Sequence, residues 1–273
     1  MSESEAAVEV RDGLPVRFFA IAYVFSWVFW TGALAGQRGW VSSPALVKLN
    51  TPLLMAGAFG PFVAAMILSA RESKGGAWRL LKRALRWRIP PVVLMVSVVL
   101  VPVMAALAVE IRAAQGGPAL VCNVAPKTLI VLVILLFFLG GSFQEEFGWA
   151  YAIDRMQPRW GFVKGSLLLG VIWACWHLPL FFMPGQSQSH MPFWTFLILT
   201  AALRVMFVWA YNSSAQSVLV TLLFHTSLNL TLNLFTVLDM SPGSEQVTWM
   251  YFTGMLAVVA VLVVVAKMRK SRD

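Results

Sequence analysis

Eight apolar runs of about 20 residues dominate this sequence, and each is long enough to cross the hydrocarbon core of a bilayer as a helix. They cover approximately residues 17–36, 52–70, 90–109, 128–147, 165–182, 193–211, 215–237 and 249–266. Since 59% of the residues are hydrophobic and only 12% are charged, the composition excludes an ordinary soluble domain. A transmembrane barrel would instead show alternating segments of about ten residues. The sequence therefore predicts an all-α polytopic membrane protein with about eight transmembrane helices.

The 21 Lys and Arg residues are distributed unevenly between the loops. Segments 71–88, 154–164 and 267–273 are rich in them, whereas the loops on the other side of the predicted membrane hold few. Because basic loops favour the cytoplasmic side, we expect both termini in the cytoplasm. The short chain shows no organelle signal, so the expected location is the inner membrane of a prokaryotic cell. The net charge of +9 then reflects membrane orientation, and no nucleic-acid partner is expected.

One membrane domain, residues 17–266, accounts for the chain apart from a short N-terminal segment, 1–16, and the basic tail, 267–273. The basic segment 71–88 has two interpretations. It is either an amphipathic helix on anionic lipid or a plain cytoplasmic loop.

Five polar side chains interrupt the apolar runs, at a depth where an ionisable group costs several kcal/mol. They are Glu145, Glu146, His177, His225 and Asn229. His225 and Asn229 are four residues apart and share a helix face, whereas the two adjacent glutamates point about 100° apart. One glutamate is therefore expected to face a site and the other to support it. Each residue alone could be a structural hydrogen bonder between helices, but three separate helices together favour one common site.

This set of side chains favours hydrolysis by one of three routes. A glutamate can take a proton from water as a general base. Two histidines and a glutamate, His177, His225 and Glu145, also form a candidate ligand set for Zn²⁺, which would activate water instead. An asparagine and a histidine can donate hydrogen bonds to the oxyanion of a tetrahedral intermediate.

Three stretches carry a family likeness: "EEFGWAYAIDRMQP", "GVIWACWHLPLFF" and "LLFHTSLN". In order and spacing they resemble the motifs of the CAAX protease and bacteriocin-processing family of intramembrane glutamate-type proteases, which includes the type II CAAX prenyl endopeptidases. The likeness extends over roughly residues 53–235.

The resemblance implies a role for each motif residue. Glu145 matches the acid that activates water, Glu146 its neighbouring acid, and His177 the histidine that works with Glu145. His225 and Asn229 match the pair assigned to the oxyanion or to a metal. We expect a catalytic cavity between transmembrane helices 4, 5 and 7. Because Glu145 and Glu146 end the fourth apolar run, on a helix expected to run from the outside inward, the cavity should open toward the cytoplasm. The expected substrate is a membrane-associated peptide or protein, either prenylated or bacteriocin-like.

Position 150 departs from the resembled motif, which has an arginine four residues after the second glutamate, whereas this chain has Ala150. This departure has three interpretations. The enzyme tolerates the loss of the arginine, or another cation, Arg155 or Arg204, replaces it, or the protein binds its substrate without cutting it. Arg204, midway along the sixth run, could pair with Glu146 or a substrate carboxylate, or snorkel to the interface. We also expect Trp173 to support the site.

Two other functions compete with proteolysis. Ala150 favours a catalytically impaired scaffold or a bacteriocin self-immunity protein, and restoring the arginine would test that alternative. A secondary transporter could use the same ionisable groups, but it predicts inverted repeats and paired broken helices, which the sequence does not show.

Overall fold

The chain folds into helices, and the computed structural model describes residues 14–122, 124–241 and 243–270. Within these ranges the helices are α1 Val16–Gln37, α2 Pro44–Lys48, α3 Asn50–Ala58, α4 Gly60–Glu72, α5 Gly76–Leu81, α6 Pro91–Ala114, α7 Pro126–Leu139, α8 Ser142–Trp176, α9 Phe193–Ser213, α10 Val218–Leu234 and α11 Val247–Lys270. The described residues contain no strand, so the predicted all-α class is confirmed. Most of segment 1–16 and the last three residues of the tail lie outside them.

The apolar helices coincide with the eight apolar runs of the sequence. In the described part of the chain, five helical stretches have the length and composition to cross a membrane. The count becomes six if α3 and α4, which meet at an angle of 43°, form one broken span. These findings agree with a polytopic membrane protein, while the count of eight spans stays a prediction.

The fourth run is not one continuous helix. It divides at Gly140 and Gly141, because α7 ends at Leu139 and α8 begins at Ser142. Gly141 has φ 108°, a conformation that a residue with a side chain rarely adopts, and its N–H donates to the Gln144 side chain at 2.8 Å. The expectation that the two glutamates end an apolar helix is therefore wrong. They lie at the start of α8, where acidic side chains are favoured by the helix dipole.

Helix α8 doubles back on itself at Gly161, whose φ of 67° and ψ of −178° are not helical. The indole of Trp173 reaches Glu145 at 2.5 Å, although 28 residues of straight helix would separate them by about 42 Å. The two halves of α8, residues 142–160 and 162–176, are therefore antiparallel. They correspond to the end of the predicted fourth span and to the fifth.

Close packing places α9 directly against the second half of α8. A Cβ built on Gly170 would lie only 2.5 Å from the Cα of Ala201, so the backbones approach as closely as small residues allow. This contact fixes the position of Arg204, one turn further along α9, beside the first half of α8.

Candidate active site

The five predicted site residues converge in the middle of the bundle. A cavity of about 370 Å³ is lined by Glu145, His177, His225 and Asn229, with Trp173 beside them. It lies between α7, both halves of α8, and α10, which are the predicted helices 4, 5 and 7, while α1, α3 and α9 complete the wall. Glu146 is buried behind this wall, at 1% exposure, and does not line the cavity.

Two indole N–H groups hold the carboxylate of Glu145. Trp149 donates to Oε2 at 3.1 Å and Trp173 donates to the same oxygen at 2.5 Å. The other oxygen, Oε1, lies beside Gly141, where an added Cβ would be 2.9 Å from Oε1 and 3.2 Å from Nε2 of His225. One oxygen of Glu145 is thus fixed by the protein, and the other lies on the Gly141 side, where Nε2 of His225 also lies.

His177 is oriented by the backbone. Its Nδ1 lies 2.8 Å from the carbonyl oxygen of Trp173, and since a carbonyl only accepts, Nδ1 carries the hydrogen. In the neutral ring, Nε2 is therefore the free acceptor. The rings of Trp30, Trp176 and Phe196 surround the imidazole, at centroid distances of 6.3, 4.7 and 5.1 Å.

His225 is held by a buried ion pair. Its Nδ1 lies 2.9 Å from Oε1 of Glu146, and Arg204 binds both oxygens of the same carboxylate at 2.7 and 3.0 Å. All three side chains are buried. The carboxylate keeps the Nδ1 hydrogen of His225 on the Glu146 side, so that Nε2 is the nitrogen near Gly141. Arg204 and Glu146 form a bidentate pair, with two parallel hydrogen bonds, which is stronger than a pair with a single hydrogen bond.

Arg204 is the cation that meets Glu146, and Arg155 is not. Arg155 instead pairs with Glu72 and donates to the carbonyl oxygen of Tyr151 at 2.8 Å. Aromatic rings cover Arg204, with its guanidinium carbon 4.0 Å from the ring centroid of Trp173. Its Nε has no hydrogen-bond partner among the described residues. Of the two replacement cations predicted from the sequence, the fold thus selects the one on α9.

Asn229 contacts the break between α7 and α8. Its side-chain N–H donates to the carbonyl oxygen of Gly140. In this arrangement Asn229 holds the turn that precedes the glutamates, and its predicted role at an oxyanion stays a prediction.

The predicted zinc ligands do not form a metal-binding group. Among the residues that the structure describes, no three His, Cys, Asp or Glu side chains are placed to hold one ion. The indole of Trp173 contacts both imidazoles, with its ring centroid 5.7 Å from that of His177 and 5.6 Å from that of His225. The same indole also donates a hydrogen bond to one oxygen of Glu145. The donor set therefore does not fit Zn²⁺, and the chemistry below uses no metal.

The cavity opens at one end of the bundle, where its lining includes the exposed residues Ser187 and Asn233. The basic segments 71–88 and 154–164 lie at the other end, joined by the Arg83–Asp154 ion pair. If the basic segments are cytoplasmic, the cavity of this fold does not open toward the cytoplasm. The two sequence-based predictions are therefore incompatible, and at most one of them is correct.

Two contributors to the site escaped the sequence-based prediction. Trp149 lies four residues after Glu145, on the same helix face, and this spacing could have identified it. Gly141 is the other contributor, and its position beside Glu145 and His225 depends on the approach of α10, which no local pattern reveals.

Comparisons with known proteins agree with the motif resemblance. Residues 126–231 match the family model described as "Type II CAAX prenyl endopeptidase Rce1-like". This range contains all five predicted catalytic residues, together with Arg204 and Trp173. The chain is also 25% identical over 268 residues to CAAX prenyl protease 2 of Methanococcus maripaludis, covering 92% of this chain and 93% of that protein. The resemblance to the prenyl endopeptidases is thereby confirmed, and a link to bacteriocins stays a prediction.

Proposed function

Because the chain carries an Rce1-like domain of the type II CAAX prenyl endopeptidases, we propose that it hydrolyses a peptide bond in a membrane-associated substrate, with Glu145 as the general base. At the level of the family, the chain is a membrane endopeptidase. The observation that carries the finer assignment is the orientation of Glu145, whose Oε2 is fixed by two indoles while Oε1 lies beside Gly141, the residue that His225 Nε2 also approaches.

In the proposed first step, Glu145 takes a proton from water while the water oxygen attacks the carbonyl carbon of the scissile bond. His177 accepts the second hydrogen of that water at its free Nε2, since Nδ1 donates to Trp173. Holding the water between two acceptors orients its lone pair toward the substrate.

In the second step, a donor must stabilise the oxyanion of the tetrahedral intermediate. We assign this role to His225, because the Glu146 carboxylate behind its Nδ1 supports positive charge on the ring. This role requires that His225 enters the cycle protonated on both ring nitrogens, so that Nδ1–H donates to Glu146 and Nε2–H donates to the oxyanion, with no proton leaving the ring. Collapse of the intermediate breaks the C–N bond, and Glu145 returns its proton to the leaving amine.

The wall of the cavity suits a substrate that arrives through the membrane. Helix α7 has no buried residue, yet its Leu136 and Leu139 line the cavity. Leu228 and Leu232 of α10 extend this apolar side. A lipid-anchored or transmembrane peptide can therefore keep its apolar part against α7 while its backbone reaches Glu145.

The decisive experiment requires no assumption about the substrate. Wild type and Glu145→Gln are expressed in the native host, and the peptide termini of all membrane proteins are compared by mass spectrometry. New termini that appear only with the wild type are the expected result. The purified enzyme is then given the peptides so identified, with and without a prenyl group, which decides whether prenylation is required. Identical termini at equal protein levels would contradict the proposal.

The scaffold alternative loses the observation that motivated it. Ala150 suggested that Glu146 lacks a cation, but Arg204 pairs with both oxygens of that carboxylate. A protease is therefore the better-supported proposal.

We predict that Trp173→Phe lowers kcat by about tenfold, because it removes one of two hydrogen bonds to a charged carboxylate. Trp176→Phe is the matched control, since that buried indole donates to Ser26 at 2.8 Å and not to Glu145. Steady-state cleavage of the same peptide by both purified variants checks the prediction. Equal losses in the two variants would indicate general packing instead.

We also predict that Gly141→Ala lowers kcat on the order of tenfold, since its Cβ would displace Glu145 Oε1 and crowd His225 Nε2. Gly161→Ala is the control for backbone strain. It also has a positive φ, of 67°, but an added Cβ there meets no atom within 4 Å. Cleavage rates and thermal unfolding are measured for both. A Gly141→Ala enzyme with the rate of Gly161→Ala would show that the site tolerates the methyl group.

A further inference from the structure

The basic segments of the chain meet at one end of the bundle. Arg83 forms an ion pair with Asp154, which joins segment 71–88 to segment 154–164. Arg159, Lys164 and Lys267 line one shared surface pocket, which joins the C-terminal tail to the same end. The fold therefore gathers the cationic segments, far apart in sequence, onto one face of the protein.

The mouth of the cavity, defined here as residues 186–188 and Asn233, lies at the opposite end, and the buried Trp249 lines the cavity near it. On α10, Ser217 donates to the carbonyl oxygen of Arg86 at 2.7 Å, and Asn233 lies 16 residues further on, about 24 Å along the helix. On α11, about 27 Å separates Trp249 from Lys267. These spacings approach the ~30 Å thickness of a hydrocarbon core, so the mouth and the basic face belong to opposite membrane surfaces.

Buried polar pairs close the bundle between the site and the basic face. The Arg204–Glu146 ion pair lies directly behind His225. Further along α9, Tyr211 donates to Asp154 at 2.9 Å. None of these four paired residues lines the cavity. A substrate therefore reaches Glu145 from the mouth or laterally from the membrane, and not through the basic face.

The chemistry of the mouth is neutral. Its polar groups are carboxamides and a hydroxyl, from Gln186, Ser187, Gln188 and Asn233. Among the described residues that line the cavity, Glu145 is the only Asp, Glu, Lys or Arg. Carboxamides can donate to and accept from an extended peptide backbone. An acidic side chain entering the cavity would meet no Lys or Arg, and a basic one would pair with Glu145 and take it from catalysis.

Since basic segments stay in the cytoplasm, we propose that the cavity takes its substrate from the non-cytoplasmic side of the membrane. The substrate is an extended peptide segment, uncharged around the scissile bond, that belongs to an exported or membrane-anchored chain. The identity of this substrate as a peptide to be cut rests on the proposed function above. The side from which it enters rests on the charge distribution and the fold alone.

Cysteine labelling in the full-length protein tests the side directly. Cys122 and Cys175 are first replaced by serine and alanine, and a single cysteine is then introduced by Ser187→Cys at the mouth or by Lys74→Cys on the basic face. Both positions are exposed. We expect a membrane-impermeant maleimide to label Ser187→Cys in intact spheroplasts, and to label Lys74→Cys only after the membrane is opened. Labelling of Lys74→Cys in intact cells, or protection of Ser187→Cys until lysis, would overturn the proposal.

A sided cleavage assay links this orientation to catalysis. An uncharged, N-acylated fluorogenic peptide that does not cross membranes is added to right-side-out spheroplasts and to sealed inside-out vesicles. We expect cleavage by the spheroplasts alone, and cleavage by the sealed inside-out vesicles alone would overturn the proposal. If neither preparation cuts, even after detergent treatment, the proposed protease function is in question, while the labelling pattern still decides the side.

Discussion

Glu145→Gln is expected to lower kcat by at least about 10³-fold, the range that general-base catalysis contributes. Glutamine has nearly the shape of glutamate, and its carbonyl oxygen can still accept from Trp149 and Trp173. It cannot take a proton from water. The loss should therefore appear in kcat, with KM and thermal stability close to those of the wild type, as steady-state kinetics and thermal unfolding would measure.

Glu72→Gln provides the control for removing a carboxylate elsewhere. Glu72 pairs with Arg155 on the basic side and does not line the cavity. We expect its kcat to stay near that of the wild type. A Glu145→Gln enzyme that cuts at a comparable rate would remove Glu145 from the mechanism.

Arg204→Leu is expected to lower kcat by about 100-fold, and the double variant Ala150→Arg/Arg204→Leu is expected to regain most of that loss. Without Arg204 the buried carboxylate of Glu146 loses its guanidinium partner and holds the orientation of His225 less firmly. Ala150 lies one turn from Glu146 and borders the same small cavity, of about 10 Å³, as Arg204. A guanidinium from position 150 can then occupy the space that Arg204 leaves.

The matched control for this rescue is Ala150→Gln/Arg204→Leu, which adds a long polar side chain without charge. The separate effects on kcat and KM distinguish a positioning role from substrate binding, because neither Arg204 nor Glu146 lines the catalytic cavity. The change should therefore lie in kcat and leave KM nearly constant. If the arginine and glutamine double variants, both folded, cut no faster than Arg204→Leu, then Arg204 acts only in packing.

Much of the site could be predicted from the sequence, because polar residues in apolar helices are conspicuous. His177, His225 and the glutamate pair stand out for the cost of burying them in a membrane. Their partners do not stand out. Trp149 and Trp173 are two of 12 tryptophans, and only the reversal at Gly161 shows that both donate to one oxygen of Glu145.

One sequence-based expectation was wrong, and the Zn²⁺ prediction gained no support from the geometry, each for an identifiable physical reason. The glutamates were placed at the end of a helix, because an apolar run does not reveal a break between two glycines. Zn²⁺ was a candidate because ligand types can be read from sequence, but their distances cannot, and an indole contacts both imidazoles.

The sequence by itself determined the membrane class, the set of ionisable site residues and which segments are basic, because burial cost and loop charge are properties of residue type and order. Only the tertiary structure decided which cation meets Glu146 and at which end the cavity opens. Both depend on how α8 reverses and how α9 and α10 pack against it, and such contacts between distant segments leave no periodic signal in the chain.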